Sequence, residues 1–368
     1  MKTAGIICEY NPFHNGHIYH ISETKKHADA VVCVMSGSFV QRGFPAVCDK
    51  FSRADTAIRQ GADLVIELPT VFALSSAEKF AYGGIFILNS LGFTDLVSFG
   101  AESEKFQIVD EENEDFKKQL HAELDIGLSY AAAKINAAEK IFGIELSSKP
   151  NDILAYEYIK AVNKLGSNIK PLIIKRQFNS YHSETPCGDF ASASYIREHL
   201  CEAKKYMPDS LPKSEMTDIE KYKLSAIAHL RCADTSYLKN IYGCGEGLEN
   251  RIKQAANNAE SFDDFIEKAK TKRYPAGRIL RLVACSMLGI KAENFTPEYI
   301  RILSMSKKGC ALLREHTPSL PVITNLSKQQ IPSKQLEIDI KASNLRSLFA
   351  ENKKGGSDFR RSPCVIEK

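Results

Sequence analysis

Two histidines stand three residues apart in His14-Asn15-Gly16-His17, just after a short apolar run at residues 3–8 (TAGIIC). The run reads as a buried strand. Pro12 cannot donate to a sheet ladder, so the strand must end before it. Ile18-Tyr19-His20-Ile21 then opens a helix. A strand, a glycine-bearing turn and a helix N-terminus form a natural anion site. Imidazoles at this spacing share one face of the first turn, and Gly16 lets the backbone approach a ligand closely. The chemistry this suits is attack on the α-phosphorus of a bound triphosphate. The plainer alternative is a pair of surface or capping histidines.

A second segment strengthens the phosphate reading. Ser192-Ala193-Ser194-Tyr195-Ile196-Arg197 is a serine-rich helix start with a cation one turn in. Its amides, the Ser192 and Ser194 hydroxyls and the Arg197 guanidinium can grip terminal phosphates. By itself it reads as an ordinary Ser-capped helix. Beside the histidine motif, the phosphate reading is preferred.

The elements that must position these groups alternate through the first half. Strands are predicted at residues 3–8, 30–35, 62–68, 94–99 and 169–174, with helices over 18–27, 49–60, 75–91 and 153–165. Asn151 and Asp152 are read as the cap of the last of these. This rhythm predicts an α/β fold with a doubly wound parallel sheet, whose ligands sit at the carboxyl ends of the strands. His14, the 36–43 loop and Gly100 all fall at such ends. Residues 103–145 read as charged helices, with the acidic stretch at 110–115 on a solvated face. Beyond residue 200 helices dominate, at 217–232, 247–257, 261–270, 276–288 and 308–315, and 320–324 and 337–340 read as short strands. The end of the chain, from Glu351, reads as frayed.

Composition sets the outer limits. The chain has 368 residues, long enough for two domains or one large one with an appendage, and its 43% hydrophobic and 26% charged content is ordinary for a globular protein. No apolar run approaches the ~20 residues of a membrane span, and no signal peptide is read at the start. Ten cysteines are scattered without C-x-x-C or zinc-finger spacing. They read as reduced cytosolic thiols, with no structural zinc. The expected location is therefore cytoplasmic. Net charge is +4, but residues 1–200 carry 20 Lys and Arg against 25 Asp and Glu, while 201–368 carry 29 against 20. A basic second half hints at a polyanionic partner.

Together the two motifs resemble the nucleotidyltransferase superfamily with H-x-G-H signatures. The blocks GIICEYNPFHNGHIYHI, VMSGSFVQRGFPAVCDKFSRADTAIRQGADLVIELP, SFGAE, KPNDILAYEY and SASYIR resemble, more narrowly, the bacterial tRNA(Met) cytidine acetate ligase family. The likeness is dense over residues 1–200 and looser in KRYPAGRILRL and TPEYIRILSMSKKG. It implies a catalytic ATP-binding domain over 1–200 and a mainly helical, basic tRNA-binding domain over 201–368. It implies activation of acetate by ATP to acetyl-adenylate, then transfer of acetyl to N4 of the wobble cytidine of elongator tRNA(Met).

The family's nucleotide segment maps onto Ile7, Cys8, Glu9, Tyr10, Asn11, Pro12, Phe13, His14, Asn15, Gly16, His17, Ile18, Tyr19 and His20, with further contacts at Gly100, Asn151 and Arg176. His14 and His17 are the expected catalytic donors, and His20 a third phosphate contact. Mg²⁺ is expected on the nucleotide phosphates, held mainly by water and phosphate oxygens. The residues named for tRNA contact are Arg42, Lys50, Lys272, Arg273, Arg278 and Arg281. A small apolar pocket near Ile7 and Met35 would suit acetate. Ser304-Met305-Ser306-Lys307-Lys308, similar to a synthetase K-M-S-K-S loop, is read as a surface loop. Two other functions fit less of the sequence. One is adenylylation of a phosphorylated metabolite, and the other is RNA binding without catalysis on a retained ATP fold.

Overall fold

The computed structural model describes residues 1–175, 186, 188–200, 202–208, 213–293, 295–328 and 332–367. Among them five parallel strands form the centre: β1 (Thr3–Cys8), β2 (Ala30–Ser36), β3 (Leu64–Leu68), β4 (Leu96–Ala101) and β5 (Lys170–Lys175). Residues of β2 and β3 are buried throughout, as expected for parallel strands covered on both faces. The crossovers are α1 (Asn15–Lys25), α2 (Lys50–Arg59), and α3 (Thr70–Ala73) with α4 (Ala77–Ser90). Between β4 and β5 lie α5 (Glu114–Asp125), α6 (Tyr130–Phe142) and α7 (Pro150–Lys164).

Strand order decides where a ligand can sit. The sheet runs β5-β4-β1-β2-β3 and continues into β6 (Ile300–Ser306) and β7 (Val322–Ile323), while β8 (Cys364–Ile366) pairs with β6. The chain winds outward from β1 to β3, then returns to β1's other side for β4 and β5. The direction reverses between β1 and β4, which opens a crevice at their carboxyl ends.

The second half departs from its expected separation. Strand β6 joins the sheet antiparallel to β3, and the chain's last strand follows it there. The helical part, from Ile219–Cys232 through Ala276–Leu288, keeps a core of its own built around Leu230, Ile252, Phe265 and Leu282. Four further expectations are corrected. Residues 337–340 belong to the helix Lys334–Ser347, whose buried Asp339 accepts from Thr70 N at 2.7 Å and Tyr299 Oη at 2.5 Å. Ser304, Met305 and Ser306 are buried in β6, and Lys307 begins the next helix, so this is no surface loop. The tail is ordered into Ser357–Arg360 and β8, with Asp358 1% exposed. In the acidic stretch Asp110, Glu112, Glu114 and Asp115 are exposed as expected, but Glu111 is half-buried against Lys134 at 2.7 Å and Lys160 at 2.5 Å rather than solvated.

What ties the tail and β6 to the sheet is a buried charge cluster. Glu67 on β3 faces Arg301 on β6 in register. Lys50 Nζ lies 2.7 Å from Glu67 Oε1 and 2.7 Å from Asp358 Oδ1, and Arg301 Nη2 lies 2.7 Å from Asp358 Oδ1. Lys50 was named as a tRNA contact. It is 1% exposed and consumed by two carboxylates, which removes it from any RNA surface. Removing one member of a buried ion cluster leaves the others uncompensated. Lys50→Met is therefore expected to lower stability by about 3–5 kcal/mol in urea denaturation. A loss below about 1 kcal/mol would contradict this account.

Candidate active site

A cavity of about 320 Å³ opens at the carboxyl ends of β1 and β4. It is built around the turn that follows β1. Ile7, Cys8, Glu9, Tyr10, Asn11, His14, Gly16, His17, Tyr19 and His20 line it. Gly100 and Asn151 close a second side, and Ser192, Ser194 and Arg197 a third. Three segments far apart in sequence thus meet where the strand pattern places them. Pro12 and Phe13 are buried beneath the turn, Ile18 packs into the core, and none of them lines the cavity. Asn15 also lies outside the lining. Its Nδ2 donates to Asp189 O at 2.8 Å and Lys205 O at 3.1 Å, which ties the turn to the segment around α8 (Ala193–Glu198). Arg176 and the polar residues 179–183 fall outside the described residues.

The two histidines cap the helix they begin. Gly16 N donates to His14 Nδ1 at 3.1 Å, and His14 N donates to His17 Nδ1 at 3.2 Å. Their rings stack with centroids 3.6 Å apart. This narrows one expectation about the anion site, because the Gly16 and His17 amides of α1 are already bonded within the turn. It sharpens another. Each Nδ1 accepts a hydrogen, so the neutral rings carry their protons on Nε2. The turn therefore presents two Nε2–H donors rather than a row of backbone amides. A side chain at Gly16 would put its Cβ 2.9 Å from His14 Cε1, so glycine is what lets the ring lie there. His20 lines the cavity but is engaged with Ser98 Oγ at 3.0 Å.

Arg53 fixes the floor, although in sequence it reads only as a helical cation. Its guanidinium is 2% exposed and donates to the carbonyls of Glu9, Ser36, Gly37 and Cys48. Arg197 spans the rim, donating from Nη1 to Asn11 O at 2.8 Å and from Nη2 to Ser194 Oγ at 3.1 Å. Ser192 caps α8 as expected, accepting from Tyr195 N at 3.1 Å.

At the β4 rim, Asp152 does not cap its helix. Pro150 opens α7, and the Asp152 carboxylate turns to the 102–103 backbone. It accepts from Glu102 N at 2.9 Å, Ser103 N at 3.0 Å, and the hydroxyls of Ser103 and Ser147 at 2.8 Å each. Asn151 Nδ2 donates to Glu102 Oε1 at 2.9 Å. These bonds set the chain just beyond Gly100.

Comparison with known proteins places the chain in a family. A family described as HIGH Nucleotidyl Transferase matches residues 1–360. The tRNA(Met) cytidine acetate ligase of Acetivibrio thermocellus is 36% identical, with 100% of each chain covered. That of Clostridium botulinum (strain Okra) is 37% identical, covering 100% of this chain and 99% of the relative. The crystal structure of apo Thermotoga maritima TmcAL superposes with a TM-score of 0.93 at 34% identity over 100% of both chains. The chain belongs to the tRNA(Met) cytidine acetate ligase family. It is a ligase on a HIGH nucleotidyltransferase fold. Thermotoga maritima TmcAL bound with alpha-thio ATP superposes with a TM-score of 0.90 at 33% identity.

Sequence reasoning missed several residues lining this ligase cavity. Phe80, Phe99, Leu154, Tyr158 and Ile174 supply its apolar wall. Phe99 adjoins Gly100 and could have been found by that adjacency. Phe80, Leu154 and Tyr158 sit on helices, where their spacing signals only core. Met35, suggested for an acetate pocket, lies in the core and is absent from the lining, whereas Ile7 is present. Lys175 and Gln41 complete the polar side. Arg42, assigned to tRNA, also lines this cavity.

Of the remaining cations, Lys272 and Arg273 are exposed, and Arg273 pairs with Glu246 at 2.7 Å. Arg278 donates to Gly243 O at 3.2 Å and lies over the Tyr274 ring at 5.0 Å. Arg281 is half-buried with Nη1 3.5 Å from Gln41 O.

The Asp152 contacts carry a pH signature. Burial alone would raise its carboxyl, but hydrogen bonds from Ser103, Ser147 and the Glu102 amide outweigh burial and hold it below the usual range. A depressed folded value means the contribution is full above the unfolded value of about 3.9 and is lost as pH falls through the folded one. The stability gap between the wild type and Asp152→Asn should therefore narrow on acidification from about pH 6 to about pH 2. A constant gap in urea denaturation would refute this.

Proposed function

We propose that the chain binds ATP in this cavity, couples acetate to AMP, and transfers the acetyl group to N4 of the wobble cytidine of elongator tRNA(Met). The observation that carries the reading is the paired Nε2–H donors of His14 and His17 at the sheet's reversal point. An acetate oxygen attacks Pα, and the bond from Pα to the bridging oxygen breaks as pyrophosphate leaves. Negative charge grows on the phosphoryl oxygens, where fixed donors in a shielded site are most effective. Arg197 and Arg42 add cationic charge on the same wall. Ser192 and Ser194 place hydroxyls beside it, and Gly100 with Asn151 borders the opposite rim, where the nucleoside has room.

No cluster of three or more His, Cys, Asp or Glu gathers around a metal position among the described residues. A Mg²⁺ ion travelling with ATP would draw its ligands from phosphate oxygens and water, and would neutralise phosphate charge. For the second step the cytidine must swing out of the anticodon loop to reach the acyl carbon. Exposed Lys272 and Arg273 are the cations placed for RNA backbone contact. No helix among the described residues is long and apolar enough to cross a membrane, and the cytoplasm is the setting this activity requires.

Labelled acetate incubated with the protein, ATP and total tRNA should yield labelled N4-acetylcytidine. AMP transfer to a phosphorylated metabolite without label in tRNA would overturn the reading. His14→Ala and His17→Ala should each lower acetate-dependent ATP–pyrophosphate exchange by about 10²–10³-fold. Unchanged exchange would remove the role given to them. The double variant Lys272→Glu, Arg273→Glu should weaken tRNA binding and reduce its salt slope by roughly 1 per lost phosphate contact. An unaltered slope would place the RNA elsewhere.

A further inference from the structure

The cavity contains one group that triphosphate binding does not call for. Among the described residues lining it, Glu9 is the only carboxylate. A negative charge beside a polyanion is repulsive, and the histidine donors and Arg197 already account for phosphate recognition. Glu9 is nevertheless held in place with care. Its own carbonyl accepts from Arg53 Nη1, and its Oε1 accepts from Gln41 N at 2.6 Å. Its Oε2 has no hydrogen-bond or ion-pair partner among the described residues, although Glu9 borders the cavity.

We propose that Glu9 is the proton acceptor in acetyl transfer, taking the proton that the cytidine N4 sheds as it attacks the acetyl carbon. This rests on the acetate ligase reading above. The N4 lone pair forms the C–N bond while the bond from the acetyl carbon to the phosphate oxygen breaks. AMP leaves with that electron pair. The N4 proton passes to Glu9 Oε2 and from there to solvent. The exocyclic amine of cytosine is a weak nucleophile, so removal of its proton in the transition state is where a base helps most.

The competing bases are occupied. His14 and His17 each accept a backbone N–H at Nδ1 and bear their protons on Nε2. His20 is bonded to Ser98. The environment also suits the role. Burial raises the Glu9 carboxyl, and the Gln41 amide, Arg197 from α8, Arg42 from the loop after β2 and Arg53 from α2 only partly offset this. A carboxylate moved towards neutrality is a stronger base while still ionised at working pH.

Glu9→Gln tests this, because the amide oxygen can still accept from Gln41 N while basicity is lost. Acetate-dependent ATP–pyrophosphate exchange and single-turnover acetyl transfer to tRNA are measured on one preparation. Misfolded protein then cancels in their ratio. The ratio of transfer to exchange should fall by about 10²–10⁴-fold. In the wild type the transfer rate should decline as pH falls through the raised Glu9 value, and that limb should vanish in Glu9→Gln. Glu9→Asp, which keeps a carboxylate, should recover part of the ratio. Equal losses in both steps would assign Glu9 to the nucleotide or its metal and overturn the proposal, as would an unchanged ratio. A wild type that exchanges pyrophosphate but never acetylates tRNA would instead overturn the acetate ligase reading itself.

Discussion

Arg53 is the constraint from which the site's shape follows. Parallel strands end with carbonyls pointing past the last ladder bond, and β1 and β2 end side by side in the interior. Buried carbonyls without partners are costly. One guanidinium, supplied from the first turns of α2, satisfies Glu9 and Cys48 on either flank and Ser36 and Gly37 at the end of β2. Its planar fork of donors fits this task in a way a lysine could not. By fastening the ends of β1 and β2 together, it sets the spacing between the histidine turn and the 36–43 loop, and hence between two walls of the cavity. Burial lowers the guanidinium's own pKa, yet an arginine remains protonated under any working condition.

The same helix shows why inward-facing charge is hard to read in a sequence. Lys50 and Arg53 lie one turn apart on α2, and a hydrophilic pair at that spacing ordinarily marks a solvated face. Here both point to the core, because Glu67, Asp358 and four carbonyls wait there. Arg301 misled in the mirror sense. A cation in IRILSMS breaks the apolar run that would have announced β6, and its cross-strand partner Glu67 together with Asp358 makes that strand viable. The alternation in residues 336–340 imitates a strand, although Ser333 caps the segment as a helix. Where burial was purely apolar the reading held well. Strand β1 occupies residues 3–8 as expected, and β2 runs one residue further than expected.

Site residues divide along the same line. Those on turns after strands were legible, because glycine, proline and histidine at those places have few structural reasons to be there. Those on helices were not, because Phe80 and Tyr158 satisfy core periodicity whether or not a ligand touches them. The H-N-G-H motif itself was found for a reason that needed amendment. Its position after β1 pointed to an anion site, but of the amides thought to serve it Gly16 N is taken up by the His14 ring and His17 N by the His14 carbonyl. In the proposed reading, recognition falls to Nε2–H rather than to these amides. This makes the donor geometry depend on His14 stacked on His17, whose ring in turn packs against Tyr10 and Phe13 with centroids 4.8 and 5.4 Å apart.

The basic half and the cavity share one short segment of chain. The loop after β2 folds on itself through Gly43 N to Val40 O at 2.8 Å and Val40 N to Phe44 O at 3.0 Å. Its Gly43 has φ +83° and lies so close to Leu280 and Arg281 that a Cβ there would strike their backbone. Tyr222 Oη donates to Gly43 O at 3.0 Å from the helical cluster. Two residues earlier, Gln41 gives its amide to Glu9 and its carbonyl to Arg281, while Arg42 faces the cavity. The loop is therefore gripped from the sheet on one side and the helices on the other. A shift of the Ala276–Leu288 helix relative to the sheet must bend this loop or break one of those bonds. The residues on which it would act are Glu9 and Arg42, not the histidine turn. Glu9 and Arg42 are thus joined to the basic half through this loop, whereas the histidine turn reaches it by a separate tie, from Asn15 Nδ2 to Lys205 O.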